Sequence, residues 1–346
     1  MWYEIFINKK ILPDWVIRKI LRAKLQNYAN VISSMSPSEL DDKRKEFVEK
    51  CLSSDVAIHT DVANSQHYEL PILFYEHILS KEMKYSGSFW DSEDSEIDEV
   101  DTNTLQTYMN RIEIESCNSI LDLGAGWGAL TLAIAECYPG VSITALTNSS
   151  IQANYINMKA RHKGFQNVKV VKEDVQKYNP SNLFDRIVSI EMFEHMRNPE
   201  IIMKRAFTWL NSEGKLFLQV FSHRTYPQFF DNVESSWMSR NFFTGGLMPY
   251  DGFYTDIRHD LVLNKIWRES GISYHHTLEA WLNNLDRNRE KILPHLDACR
   301  MSISSRVFLQ QYRFFLIFCS ELFNFNNGND WYVINYLFDK TGNETC

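Results

Sequence analysis

The chain has little with which to hold a nucleic acid, a metal or a bilayer. Its 346 residues carry 36 lysines and arginines against 44 acids, a net charge of −8. The basic footprint that a phosphate backbone or an anionic membrane surface needs is missing. No nucleic-acid partner is expected, and membrane contact is disfavoured. The six cysteines, Cys51, Cys117, Cys137, Cys299, Cys319 and Cys346, are scattered, with no CxxC and no Cys/His cluster. That argues against a zinc site or a disulfide framework, so no metal is expected, and it fits a reducing, cytoplasmic setting. No stretch approaches the roughly 20 apolar residues of a membrane-spanning helix. The opening MWYEIFINKKILPDWVIRKILRAKL holds short apolar stretches broken by charge and does not read as a secretory signal. The glycosylation sequon at Asn343-Glu-Thr345 therefore carries no weight. Trp15 to Leu21 have helical periodicity with a basic face, and a helix docked on the protein is expected there rather than one on a membrane surface.

What is present points to an enzyme-sized α/β core. Apolar residues make up 44% and aromatics 14%, enough for a sizeable core and for a pocket around an apolar or aromatic ligand. Packing between helices would use the same rings. Residues 1–80 read as helices, with Ser36-Pro-Ser-Glu39 as a capped start. The run from Asp91 to Asp101 holds seven acids in eleven residues. It reads as a solvated loop, the other reading being a mouth that attracts a cationic substrate. From residue 118 strands and helices alternate, with strands at 118–124, 141–147, 168–174, 184–191 and 215–221 and helices at 129–138, 150–164 and 199–211. Such alternation implies parallel strands with right-handed crossovers, a Rossmann-like doubly wound sheet. Beyond 230 the pattern is mostly helical, with a last strand at 331–338. The division expected is an N-terminal helical cap over 1–110 and a core over 111–346, with a helical insertion at 231–330 that forms the substrate pocket.

Asp122-Leu-Gly124-Ala-Gly126-Trp-Gly128 ends the first strand and opens a helix. Glycines there let the backbone approach a ligand lying beyond the carboxyl ends of the strands. A dinucleotide fingerprint would read GxGxxG, with an acid at the end of the second strand. Here the loop is GAGWG, and the second strand ends Leu146-Thr147-Asn148-Ser149, without an acid. Asp122 would also repel a pyrophosphate, whereas a cationic sulfonium with an amino-acid tail suits it. With Asp174-Val175 closing the third strand, the pattern resembles that of class I S-adenosylmethionine (SAM)-dependent methyltransferases. That likeness implies SAM as cofactor, with Asp174 or its neighbours facing the adenine.

The likeness extends to most of the chain. KYSGSFW (84–90), LDLGAGWGALTLAIA, SIEMFEHM (189–196), FFTGGLMP (242–249), TLEAWL (277–282) and FNFNNGNDWYV (323–333) resemble the cyclopropane-fatty-acid (mycolic acid) synthase family, and most closely its coclaurine-type N-methyltransferases of alkaloid synthesis. The resemblance implies that Tyr85 and Ser86 contact the carboxylate end of SAM and that Gly124 and Gly126 line it. It implies that Thr147 and Gln152 contact the ribose, with Asn148 beside them. The synthases hold a bicarbonate ion with a Cys after the Tyr-Ser pair and a His at the end of strand five. This chain has Gly87 and Gln219 there, which speaks against ring closure on a lipid.

An amine acceptor asks for anions to bind its ammonium and a base to take the proton, because only the free lone pair attacks. Glu191-Met-Phe-Glu194-His195 follows strand four at the carboxyl edge of the sheet, and His titrates near neutrality. Glu194 and His195 are expected to be the amine-binding and proton-accepting pair, with Glu191 in support; the resemblance points the same way. A helix start with acids favoured by the dipole would leave the same trace. His223, His275 and His276 read as loop or core histidines. Phe242, Phe243, Trp281, Phe323, Phe325 and Trp331 are candidate walls for the substrate. The function expected is N-methylation of a small aromatic or alkaloid-like amine, with a small-molecule partner and a homodimer compatible with the sequence. The alternative readings are a methyltransferase or cyclopropane synthase acting on unsaturated fatty-acyl lipid, and a SAM-binding scaffold without catalysis.

Overall fold

The computed structural model describes residues 7–8, 12–57, 70–231, 236–299 and 303–340, so the sequon at 343–345 and Cys346 lie outside the described residues. Among the described residues the labelled elements, in chain order, are first the helices α1 (Asp14–Ser33), α2 (Pro37–Leu52), α3 (Ile72–Ile78) and α4 (Ile97–Arg111). The alternating core follows: β1 (Ser119–Leu123), α5 (Ala129–Cys137), β2 (Ser142–Thr147), α6 (Ser150–Lys163), β3 (Val168–Lys172), β4 (Phe184–Ile190), α7 (Pro199–Trp209) and β5 (Leu210–His223). Then come β6 (Gln228–Phe229), α8 (Trp237–Asn241), β7 (Leu247–Met248), α9 (Phe253–Asp256), β8 (Val262–Glu269), α10 (Gly271–Arg287), α11 (Arg289–Asp297), α12 (Ser305–Asn324) and β9 (Trp331–Asp339).

The main sheet has seven strands in the order β3-β2-β1-β4-β5-β9-β8. β3 to β5 run parallel, as the alternation implies, and the order reverses between β1 and β4, where such sheets place their ligands. β9 and β8 are antiparallel, which a purely parallel sheet does not include. All nine residues of β9 are buried, so it is a central strand. β8 is an edge strand without a buried side, so its sequence carries no period-two pattern.

Of the three apolar cores among the described residues, two bear on the site. One lies under the sheet and includes Ile187, Phe193, Leu218, Tyr254 and Tyr336. The other joins the N-terminal helices to the segment after β5 and includes Leu21, Leu25, Tyr75, Trp127, Trp281, Tyr312 and Trp331. Helix α1 is docked as expected. Arg18 donates to Glu279 at 2.8 Å and to Glu321 at 2.9 Å, and Arg313 donates to Asp14 and Asp286, tying α1 to α10 and α12. Among the described residues no helix is long and apolar enough to cross a membrane.

His223 is a structural histidine at the end of β5. It is 4% exposed, and its Nδ1 accepts backbone N–H bonds from Thr225 (3.0 Å) and Tyr226 (2.8 Å). Burial lowers its pKa to about 4, with Arg224 and Arg44 adding to the effect against Asp330. The unfolded chain takes up a proton below about pH 6.5 that the fold refuses until about pH 4. Stability is therefore lost as pH falls through that window and is unaffected above it. His223→Gln keeps an acceptor oxygen, and its urea unfolding is expected to change less between pH 7 and pH 4.5 than wild type, by about 2–3 kcal/mol.

Candidate active site

The glycine loop turns as its sequence requires. Gly124, Gly126 and Gly128 all hold positive φ, at +85, +55 and +81°. A Cβ on Gly124 would stand 2.7 Å from Met192 Cγ, so a side chain there would strike the turn after β4. Asp122 is 3% exposed and accepts the Thr131 hydroxyl at 2.6 Å, and burial raises its carboxyl to about 6. At the end of β2 the Thr147 hydroxyl donates to Gln152 Oε1 at 2.7 Å. That leaves Gln152 Nε2 buried without a partner, as is the indole N–H of Trp127.

These residues line one cavity. Its wall takes in every cofactor residue expected from the sequence: Tyr85, Ser86, Asp122, Gly124, Gly126, Thr147, Asn148, Gln152, Asp174 and Val175. Trp127 and Glu173 line it as well. Two orphaned buried donors and an acid in one glycine-floored cavity suit a ligand with hydroxyl or ring-nitrogen acceptors and a cationic part.

A second, aromatic cavity adjoins the first and shares Tyr85, Glu191 and His195 with it. Of the candidate rings, Phe243, Trp281 and Phe323 line it, together with Phe230, Tyr274 and Phe315. Phe242, Phe325 and Trp331 do not line it. Phe242 stacks on Phe315 at 4.5 Å and packs behind the wall.

The turn after β4 separates the three expected catalytic residues. Glu191 holds φ +48°, a conformation that β-carbon residues seldom adopt and that concentrates at functional sites. Its carboxylate is the centre of a network. Oε1 accepts from the Gly87 N–H (2.9 Å) and Gln219 Nε2 (3.0 Å), and Oε2 accepts from the Tyr274 hydroxyl (2.6 Å). Tyr108 in turn donates to Gln219 Oε1 at 2.7 Å. Burial raises the Glu191 carboxyl, opposed by Lys84 and by the three donors. His195 is half-buried, its ring edge-on to Phe243 at 5.0 Å.

Glu194 differs from expectation. It is 0% exposed and lines neither cavity. The short 3-10 turn Phe193–His195 sends it under the sheet edge, where Oε1 accepts the Phe221 N–H at 2.7 Å and Oε2 has no partner. Burial first, then the nearby Glu191 charge, push its pKa well above the carboxylate range. Glu191, expected only in support, is the carboxylate that faces both cavities.

The synthase bicarbonate site does not fit this chain. A Cβ at Gly87 would meet the Tyr274 ring at 2.9 Å, and the Gln219 amide is already committed to Glu191 and Tyr108. Sequence reasoning missed Tyr274, which donates to Glu191, Tyr108, which acts on it through Gln219, and Lys84, which holds the segment whose Gly87 N–H donates to it. The acidic run also divides. Its first acids are exposed, but Asp101 lies on α4 and is fully buried.

Comparison with known proteins places this geometry. Residues 57–332 match the model of the mycolic acid cyclopropane synthetase family. The chain belongs to that family. It is 33% identical over 287 residues to the (S)-tetrahydroprotoberberine N-methyltransferase of Eschscholzia californica, covering 81% of each chain. It is 29% identical over 337 residues to the (S)-coclaurine N-methyltransferase of Thalictrum flavum subsp. glaucum, covering 95% of this chain and 93% of the relative. A crystal structure of coclaurine N-methyltransferase with N-methylheliamine and S-adenosylhomocysteine superposes with a TM-score of 0.92 at 27% identity, covering 97% of this chain and 98% of that one. The chain is a SAM-dependent methyltransferase of class I fold.

Proposed function

We propose that this methyltransferase acts on the nitrogen of a small amine with an aromatic or alkaloid-like body. The observation that carries the reading is the position of Glu191, an acid on the shared wall of the glycine-loop cavity and the aromatic cavity. Residues Asp122, Gly124, Thr147, Gln152 and Asp174 would hold SAM, which supplies a methyl group already activated by its sulfonium. In the proposed mechanism Glu191 receives the ammonium and orients its nitrogen, while the rings exclude water and add ~0.5–2 kcal/mol of cation–π attraction. His195 takes the proton that frees the lone pair. Glu194 acts behind them, as a neutral acid that fixes the backbone at Phe221. The (S)-coclaurine, (S)-tetrahydroprotoberberine and pavine N-methyltransferases among the relatives support an amine of this kind.

We further propose a cytosolic setting, from the acidic composition and scattered thiols. Residues 1–110 and 231–330 would cover the site, the second segment not purely helical as expected but broken by β7 and by β8 of the main sheet. Methyl-labelled SAM offered with primary to tertiary aryl-alkyl amines, and separately with unsaturated phospholipid vesicles, tests the reading. Label is expected in an amine; label in lipid alone would overturn it.

A further inference from the structure

A lysine is buried against this site. Lys84 is 3% exposed, and the residue before it, Met83, holds φ +55°. The ammonium has three protons and four acceptors around it. They are Ser86 Oγ at 2.9 Å, Ser86 O at 3.1 Å, Gly87 O at 2.6 Å and Ser88 Oγ at 3.0 Å. Lys84 therefore sets the shape of the segment that carries Tyr85 and Ser86 into the cofactor cavity and the Gly87 N–H onto Glu191.

Two anions act on the ammonium, Asp101 from α4 and Glu191 from the turn after β4. Asp101 is fully buried and accepts the Ser80 hydroxyl at 2.5 Å and the Ser88 hydroxyl. Burial lowers the pKa of the ammonium and raises both carboxyls, so each depends on the opposite charge beside it to stay ionised. The remaining titratable groups near Glu191 are Tyr274 from α10, Tyr108 from α4 by way of Gln219, and Glu194 and His195 on its own turn.

We infer that Lys84 is a positioning residue that keeps Glu191 ionised, its ammonium held on Gly87, whose N–H donates to Glu191. The inference rests on the reading of Glu191 as the acceptor of the ammonium. Removing the lysine charge disfavours the Glu191 carboxylate. Removing the Asp101 charge takes a like charge out of the cluster and, while Lys84 stays protonated, favours it.

The test is two substitutions that move one titration in opposite directions. Full-length protein with carbon-13 at the glutamate side-chain carboxyls is titrated by NMR, the Glu191 signal being the one lost in Glu191→Gln. The pH profile of kcat/KM is measured in parallel with tetrahydroisoquinoline as acceptor. Lys84→Met is expected to raise the Glu191 titration and the acid limb by about 1–3 units, and Asp101→Asn to lower both. A merely structural lysine would cost rate while leaving the titration in place, and that result, or shifts of the same sign, would overturn the inference. Should Lys84→Met not fold, Lys84→Gln is titrated in its place, a raised Glu191 titration supporting the inference and an unmoved one refuting it. If Glu191→Gln retains full activity while the NMR shifts appear, the amine reading fails and the Lys84–Glu191 coupling stands. If Glu191→Gln is inactive while the titration stays fixed, only the role of Lys84 fails.

Discussion

Glu191→Gln is expected to lower kcat/KM for an amine acceptor by about 10²–10⁴-fold, against less than tenfold for Glu194→Gln. The two acids stand three residues apart on one turn, and their environments differ. Glu191 faces both cavities; Glu194 faces neither. A glutamine at 191 can keep the network. Its carbonyl oxygen accepts from Gly87 and Gln219, and its amide faces the Tyr274 hydroxyl, which then accepts instead of donating. The substitution thus removes charge and little else, and the loss is that of an ammonium without its counter-ion in a site that excludes water. At Glu194 the acid is already held neutral by burial and by the Glu191 charge. An amide there changes no charge and keeps an oxygen for the Phe221 N–H. Steady-state kinetics with labelled SAM, beside thermal unfolding of each variant, checks the pair. Equal losses, or the larger one at 194, would return the role to Glu194.

Position along the chain, together with the resemblance that supplied Tyr85, Ser86, Thr147 and Gln152, was enough to name ten residues that share a cavity, because most of its parts are local. The end of β1, the glycine loop, the end of β2 and the residues after β3 all lie at one edge of a parallel sheet, and a parallel sheet can be read from alternation alone. All ten residues assigned from those motifs and from the Tyr-Ser pair line one cavity. The environment of Glu191 was not legible. Its partners are Gly87, Gln219 and Tyr274, with Tyr108 behind Gln219. Nothing in a single sequence says that residues 100 apart share a carboxylate. The two acids of Glu191-Met-Phe-Glu194 look equivalent in sequence, and only the positive φ at Glu191 and the 3-10 turn after it separate them. β8 was hidden for a different reason, since neither of its faces is buried and an alternating pattern never forms. Gly87 and Gln219 were visible as departures from the synthase pattern. What fills the space, the Tyr274 ring and the Gln219 amide, needed the fold.

Gly271→Ala is expected to be the most damaging small substitution in the walls of the aromatic cavity. Gly271 opens α10, the helix that brings Tyr274, Leu278 and Trp281 to that cavity. A Cβ there would stand 2.1 Å from the Trp331 carbonyl oxygen and 2.4 Å from that of Phe323, both backbone atoms. A clash with the end of a flexible side chain relaxes cheaply; one with two carbonyls does not. Relief requires moving α10 away from the end of α12 and the start of β9, and β9 is buried along its whole length. The loop between α12 and β9 cannot give way easily either. Asn326, Asn327 and Gly328 already hold left-handed φ of +50, +54 and +72°, and a Cβ on Gly328 would meet the Ile272 N at 2.5 Å. Overpacking against fixed backbone costs about 3 kcal/mol, which for a chain of this size lowers Tm by roughly 4 °C. The shift of α10 also moves Tyr274 relative to Glu191. A variant that folds is therefore expected to show a raised KM for the amine, with Kd for SAM changed little, since the glycine loop lies on other elements. Differential scanning calorimetry and isothermal titration with SAM separate the two effects. An unchanged Tm would mean that the junction of α10 with β9 is looser than its packing implies, and that the aromatic wall is not held rigidly against the carboxylate.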